Sequence, residues 1–266
     1  MNAQLTEKYK NLCAIIADKG RVALAFSGGV DSTLLLKAMT TVAPDRSVAL
    51  LAATPLQPQT ETQSAIDTAR EIGAQLVVRH LNPLDWPEFV ANPPDRCYHC
   101  KKAIYSNFKQ HLVDQSDTVL MDGTNTDDLQ EDRPGRRAIH ELKIATPLVE
   151  AGLSKCEIRA LSRSLQLPTW NKPSASCLAT RIATGLYIDN DKLGVVARCE
   201  AHLHELGAQG CRVRLMGNKH AIIEFLPNDF GMLSGQETRK QINLFFKSMG
   251  FLKVFLDLSE RKGILA

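Results

Sequence analysis

This chain has no apolar run approaching the roughly 20 residues that a membrane-spanning helix needs. Met1-Asn2-Ala3-Gln4 opens no secretory leader. A soluble cytoplasmic protein is therefore the expectation. The chain also has little net charge, +3 at neutral pH. That value permits an anionic substrate but does not suggest a nucleic-acid coat. It has no internal repeat and no low-complexity tract, which argues against a solenoid or a disordered linker. Cysteine is not scarce, but a second CxxC is missing. Without a leader, the seven cysteines read as reduced thiols or metal ligands rather than disulfides. The 44% hydrophobic fraction is that of a globular protein, and 266 residues allow one large domain or two smaller ones.

The most informative stretch is Ser27-Gly28-Gly29-Val30-Asp31-Ser32, directly behind the apolar run Val22–Phe26. A strand that enters a Ser/Gly turn and leaves as a helix aims several backbone N–H groups at one point, where phosphate binds. The glycines let the backbone approach an anion closely. Ser27 and Ser32 add hydroxyl donors, and Asp31 suits a Mg²⁺ shared with the phosphates. No Gly-Lys-Ser/Thr follows, so this is not a Walker A loop. The hexapeptide matches SGGxDS and resembles the PP-loop of the ATP pyrophosphatases, which split ATP into AMP and pyrophosphate.

Strands and helices alternate along the first part of the chain. A helix near residues 5–18 precedes strand Val22–Phe26, helix Ser32–Thr41, strand Ser47–Ala53 and helix Glu61–Ile72. Strand Gln75–His80, helix Lys101–Val113 and strand Thr118–Met121 follow. This order predicts a parallel sheet covered on both faces, with ligands at the carboxyl ends of the strands. The loop, Thr54 and Asp122-Gly123-Thr124-Asn125 all fall at such ends. Ser154-Lys155-Cys156-Glu157 reads as a capping box opening a helix to about Leu165. Pro168 and Pro173 then break the chain, and 168–190 reads as a loop-rich linker. Beyond it come helix Asp191–Leu206, a hairpin of Cys211–Met216 and Ala221–Phe225, helix Ser234–Met249 and strand Leu252–Leu256. The expected fold class is α/β, a parallel-sheet domain over residues 1–170, with a smaller α+β region over 171–266 that includes the linker.

Cys97-Tyr98-His99-Cys100 is a CxxC unit ahead of a predicted helix. Zinc, an iron–sulfur cluster, a redox dithiol and coincidence all remain open for it. Three cysteines with one open position, Cys177 being the third, suit a 4Fe–4S cluster with a reactive iron. Cys177 lies in a polar, proline-bearing loop, where Arg181 can depress a thiol pKa or hold a phosphate. Cys13, Cys156, Cys199 and Cys211 fall in apolar patterns and read as structural. His99 sits where it can tune or ligate a metal. His80, His111, His140, His202 and His204 read as ordinary surface or core residues.

These marks together resemble the LarE family of ATP-dependent sulfur transferases over nearly the whole chain. The residues that carry the resemblance are Ser27–Ser32, Arg96–Lys101, Asp122–Asn125, Arg133-Pro134-Gly135, Cys177–Arg181 and Arg212-Val213-Arg214. The resemblance implies adenylation of a carboxylate of pyridinium-3,5-biscarboxylic acid mononucleotide, with sulfur then replacing AMP. It implies ATP on Ser27, Gly28, Gly29, Asp31 and Ser32, adenine near Thr54 and Gly123, and further contacts from Asn125, Arg133 and Arg136. Mg²⁺ is expected on Asp31, with Asp127 a weaker candidate. Two sulfur sources occur in the family: a 4Fe–4S cluster on three cysteines, here Cys97, Cys100 and Cys177, or the sulfur of a single cysteine matching Cys177. The presence of all three favours the cluster. Arg212 and Arg214, two apart on a predicted strand, share one face and suit a phosphate clamp. The resemblance implies that they bind the substrate phosphate beside Glu200, and Arg181 is a further candidate. The bland reading of that face is a solvated Arg/Glu surface, with Glu224 pairing across the hairpin. Homo-oligomers, hexamers among them, are also implied.

Three competing functions differ in what they leave unexplained. tRNA thiolation predicts a basic stripe that the net charge does not supply. Amide synthesis leaves the cysteines without a role. A nucleotide-binding redox sensor leaves the intact Ser27–Ser32 loop without one.

Overall fold

The computed structural model describes residues 3–114, 117–130, 134–173, 176–208 and 210–259, with only the backbone of Asn218. In chain order the elements are α1 (Ala3–Asp18), β1 (Val22–Phe26), α2 (Val30–Val42), β2 (Ser47–Ala53), α3 (Gln59–Ile72) and β3 (Leu76–His80). Then come α4 (Pro87–Val90), α5 (Arg96–His111), β4 (Val119–Met121), α6 (Gly135–Glu141), α7 (Pro147–Glu150) and α8 (Lys155–Ser164). The remainder is α9 (Asn190–Glu205), β5 (Arg212–Met216), β6 (His220–Glu224), α10 (Phe230–Ser234), α11 (Gln236–Ser248) and β7 (Lys253–Leu256).

The chain divides into two compact units, 1–83 with 95–172, and 84–94 with 173–266. In the first, β3-β2-β1-β4 form an all-parallel sheet. Strands buried on both faces should be apolar throughout, and in β1 Val22, Ala23 and Leu24 are wholly buried. Leu34, Leu35 and Leu36 of α2 and Leu12 and Ile16 of α1 complete that core. Tyr105 and Phe108 of α5 belong to a second apolar cluster, with Leu50 and Leu120. The capping box at the start of α8 is present: Ser154 Oγ accepts from the Glu157 N–H, and Glu157 Oε2 accepts from the Ser154 N–H at 3.0 Å.

In the second unit β5 and β6 are antiparallel, and β7 joins β6 in parallel. The excursion 84–94 is stitched to this unit by Asn92. That residue is buried in the left-handed region at φ 54°, and its Nδ2 donates to Ala183 O at 2.8 Å and Leu186 O at 2.9 Å. Val213, Ile223, Leu203 and Phe246 form the interior.

The predicted boundaries need two corrections. The helix expected from Lys101 starts at Arg96, so Cys97 and Cys100 lie inside its first turns rather than ahead of it. The helix expected over Ser234–Met249 is α11, starting at Gln236, while Ser234 ends a separate short helix, α10, that was not expected. Among the described residues no helix is long and apolar enough to cross a membrane.

Candidate active site

Ser27 leaves the carboxyl end of β1, and Gly29 is the N-cap of α2. The turn requires glycine at two places. Gly28 has φ +69°, and a Cβ there would stand 2.6 Å from Ala65 Cβ. Gly123, just past β4, packs so closely on the loop that a Cβ would lie 3.1 Å from the Ser32 backbone nitrogen. The two serines are preset: their hydroxyls are 3.1 Å apart, and Ser32 Oγ donates to Gly29 O at 3.1 Å. The first N–H groups of a helix have no partner within it and carry partial positive charge. Here they open beside a cavity of about 510 Å³, within the range typical of small-molecule sites.

Ser27, Asp31, Ser32, Gly123 and Arg136 line this cavity together with Cys97 of α5. Arg136 also donates to Leu129 O at 3.0 Å. Thr54, expected near adenine, is not among the lining residues, and its hydroxyl accepts from the Leu56 N–H at 3.3 Å. Asn125 lies behind the wall, its Nδ2 3.3 Å from Asp31 Oδ1. Asp127, the weaker metal candidate, faces α8 instead and accepts from the Lys155 N–H at 3.0 Å. Asp128, which sequence reasoning passed over, borders the cavity. Arg133 lies outside the described residues.

Two carboxylates behave differently. Burial raises the Asp31 pKa against the opposing pull of Lys155, with Asp128 adding to the rise. Burial also works against the Asp122 carboxylate, but Lys101, Thr124 and Tyr105 outweigh it and hold its pKa below the ordinary value. Lys101 Nζ is 3.1 Å from Asp122 Oδ2, and the Thr124 N–H donates to Oδ1 at 2.7 Å. Tyr105 Oη donates to the same carboxylate, and burial first, then Asp122, lifts its own pKa well above the usual value. Lys101 therefore presents an anchored cation at the cavity wall. Both residues lie in stretches that carry the family resemblance, but their pairing was not foreseen, because Lys101 and Asp122 come together only through the fold.

Asp31 and Asp128 are hard oxygen donors beside a phosphate-type cradle, and they fit Mg²⁺. The cysteines fit a cluster less completely. Cys97 and Cys100 are three apart on α5, which places them on one helix face. Among the described residues, however, no three His, Cys, Asp or Glu side chains gather to hold a metal ion. The α5 pair supplies two of the at least three thiolates that a 4Fe–4S site needs, and Cys177, the third expected, belongs to the second unit.

In the second unit Cys177 is half-buried and precedes a 3₁₀ turn, Leu178–Arg181. Buried Arg181 organises that turn. Its Nη1 donates to Ser176 O at 3.0 Å and Thr180 Oγ1 at 3.1 Å, and its Nε to Glu200 Oε1 at 2.8 Å. Glu200 Oε1 also accepts from the Val213 N–H at 2.9 Å. Arg214 forms a two-point pair with Glu224, at 2.7 and 3.0 Å, so the cross-hairpin partner of the bland reading is present. Val213 is buried between Arg212 and Arg214, which share the opposite face of β5. His202 is partly buried and stacks on Phe245, with ring centroids 4.0 Å apart, as an ordinary packing residue does. Cys199 is fully buried, and its thiol is pushed up to about 12 by burial.

A parallel α/β sheet carrying a Ser-Gly-Gly turn at the carboxyl end of β1, one of its two inner strands, defines a PP-loop-type domain. A relative from Lactiplantibacillus plantarum, named pyridinium-3,5-bisthiocarboxylic acid mononucleotide synthase, is 33% identical over 261 residues. The match covers 96% of this chain and 92% of that protein. An uncharacterized protein of Synechocystis sp. is 35% identical over 96% of this chain and 94% of its own. Another, from Methanocaldococcus jannaschii, is 29% identical over 96% and 92%. No protein-family model matches the chain. With a third of its residues shared along nearly its whole length, the chain belongs to the LarE family.

Proposed function

We propose that this chain is an ATP-dependent sulfur transferase that converts a carboxylate of a pyridinium mononucleotide to a thiocarboxylate, a step in making a nickel-pincer nucleotide cofactor. The name of the Lactiplantibacillus relative supports the product class. The observation that carries the reading is the single cavity bordered by the Ser27–Ser32 turn, Lys101 and Cys97. It sets a phosphate cradle, an anchored cation and a thiol around one space.

In this reading ATP lies with its phosphates on Ser27, Gly28, Gly29 and Ser32, and Arg136 and Lys101 neutralise charge. Asp31 and Asp128 would hold Mg²⁺, which when bound supplies further neutralisation. The substrate carboxylate attacks the α-phosphorus and pyrophosphate leaves. Positioning and charge matter more here than proton transfer. The resulting mixed anhydride is electrophilic at its carbonyl, and a sulfur anion displaces AMP. Cys97, Cys100 and Cys177 are the sulfur residues: as joint holders of a 4Fe–4S cluster, or with Cys177 giving up its own sulfur. Arg181, Glu200, Arg212 and Arg214 take the substrate's phosphate end. The protein is read as cytoplasmic and homo-oligomeric, without nucleic-acid or membrane partners.

The test is iron and acid-labile sulfide analysis after anaerobic preparation, paired with pyrophosphate release from ATP. Substrate-dependent pyrophosphate is expected. Iron that disappears on replacing Cys97, Cys100 or Cys177 supports the cluster. Iron-free protein whose Cys177 becomes dehydroalanine after one turnover supports the sacrificial route. No pyrophosphate in the presence of substrate overturns the enzyme reading.

A further inference from the structure

Lys155 is absorbed by none of these roles, yet its ammonium is bonded to Asp31 Oδ2 across 124 positions of sequence. Its backbone is pinned. The Lys155 N–H donates to Asp127 Oδ2 at 3.0 Å. Ser154 before it is locked by Glu157, which Lys8 holds at 2.7 and 2.9 Å. The preceding loop is tied by the Thr126 N–H and hydroxyl, both 3.1 Å from Leu153 O. The base of the side chain is thus fixed, while its four-carbon stem, 30% exposed, leaves the head free to pivot.

The place it points to is unusual for a structural ion pair. Asp31 sits in the first turn of α2, inside the phosphate cradle, with Asn125 on its other oxygen. A divalent cation taking that carboxylate needs the same oxygen and repels an ammonium resting on it. Oxygen-rich phosphates beside Ser27 and Ser32 offer the displaced ammonium a stronger, charge-assisted partner.

We infer that Lys155 is the resident counter-ion of Asp31 and passes to the nucleotide's phosphates when a divalent cation takes the carboxylate. The inference rests on the ATP reading above. It makes metal and phosphate binding interlocked events: the cation that enters releases the ammonium that grips the anion.

The test uses Lys155→Met, which keeps the stem and removes the charge, and Lys155→Arg, which keeps the charge. Mn²⁺ binding without nucleotide is read by electron paramagnetic resonance of the free ion. ATP binding with saturating Mg²⁺ present is read by calorimetry. Lys155→Met should bind Mn²⁺ about threefold to tenfold more tightly and ATP about tenfold more weakly, the size of a lost charge-assisted contact. Lys155→Arg should stay within about threefold of wild type for ATP. These opposite shifts are a signature a purely structural lysine does not produce. Unchanged constants, or both weakening together, overturn the inference; if the Met variant does not fold, an Arg variant that loses ATP binding overturns it as well. Wild-type protein that binds no ATP removes the ATP reading itself, and with it the phosphate half of the inference. Tighter Mn²⁺ binding by the Met variant then still supports the shared carboxylate.

Discussion

The backbone donors of the first unit's turn and the arginines of the second unit are held by different means. In the first, the Ser27–Ser32 turn is built by neighbours in sequence: glycines without Cβ atoms, paired serines and a helix start. In the second, the arginines are held by carboxylates of neighbouring elements, Arg181 by Glu200 and Arg214 by Glu224. The first arrangement leaves backbone donors facing a cavity before any ligand arrives. The second satisfies its own charges, so an incoming anion has to compete with a carboxylate for each guanidinium. Preorganisation of the first kind is lost to a single methyl group. The second kind loses affinity in smaller steps.

The sharpest way to break the comparison is Gly28→Ala. The added Cβ meets Ala65 at 2.6 Å while φ stays at +69°. Strain and clash together should cost on the order of 1–3 kcal/mol and lower ATP-dependent pyrophosphate release by roughly 100-fold, as a misplaced cradle does. Adding Ala65→Gly removes the clash and leaves the φ penalty. The double variant should therefore recover melting temperature only in part. Full recovery would mean that space alone, not backbone conformation, demands glycine.

How much of this was legible from the chain follows the same division. The α/β class, the turn at residues 27–32 and the capping box at Ser154 depend on residues within a few positions of one another, where propensity and hydrogen bonding act directly. The start of α5 at Arg96 was missed because Cys and Tyr are weak helix formers, and packing of Tyr98 and Tyr105 sets the boundary instead. Lys101 with Asp122, and Lys155 with Asp31, are tertiary pairs that no periodicity encodes. Asp127 and Asp128 are adjacent and alike in sequence. Only the turn that aims one at α8 and the other at the cavity separates them.

Asp122 gives the next largest effect and sharpens the contrast from the first unit's side. Its pKa is lower in the folded state than the reference value of 3.8. A depressed acid contributes stability above the reference value and loses it as pH falls through the folded one. Wild type should therefore lose melting temperature with acidification below 3.8, and Asp122→Asn should lack this component. At neutral pH the variant should be less stable by about 1–3 kcal/mol, since it strands the Lys101 charge, which is only partly exposed. A variant with the wild-type acid profile would show that another carboxylate carries it.

The smallest effect tests the second unit. Arg181 spans two jobs, Glu200 with Nε and the Ser176–Thr180 turn with Nη1. A lysine ammonium has no fork with which to do both. Arg181→Lys should loosen the turn that carries Cys177 and speed its alkylation by about twofold to fivefold, a population shift worth less than 1 kcal/mol. Mass spectrometry of timed iodoacetamide reactions reads it, with Cys97 in the same digest as the internal reference. Glu200→Gln keeps the hydrogen bond but not the charge, so it should move the Cys177 rate less. If Arg181→Lys leaves that rate alone, the turn stands on the Thr180 hydroxyl, which donates to Cys177 O at 2.7 Å. The second unit would then resemble the first, ordered by its nearest neighbours in sequence rather than by a carboxylate of another element.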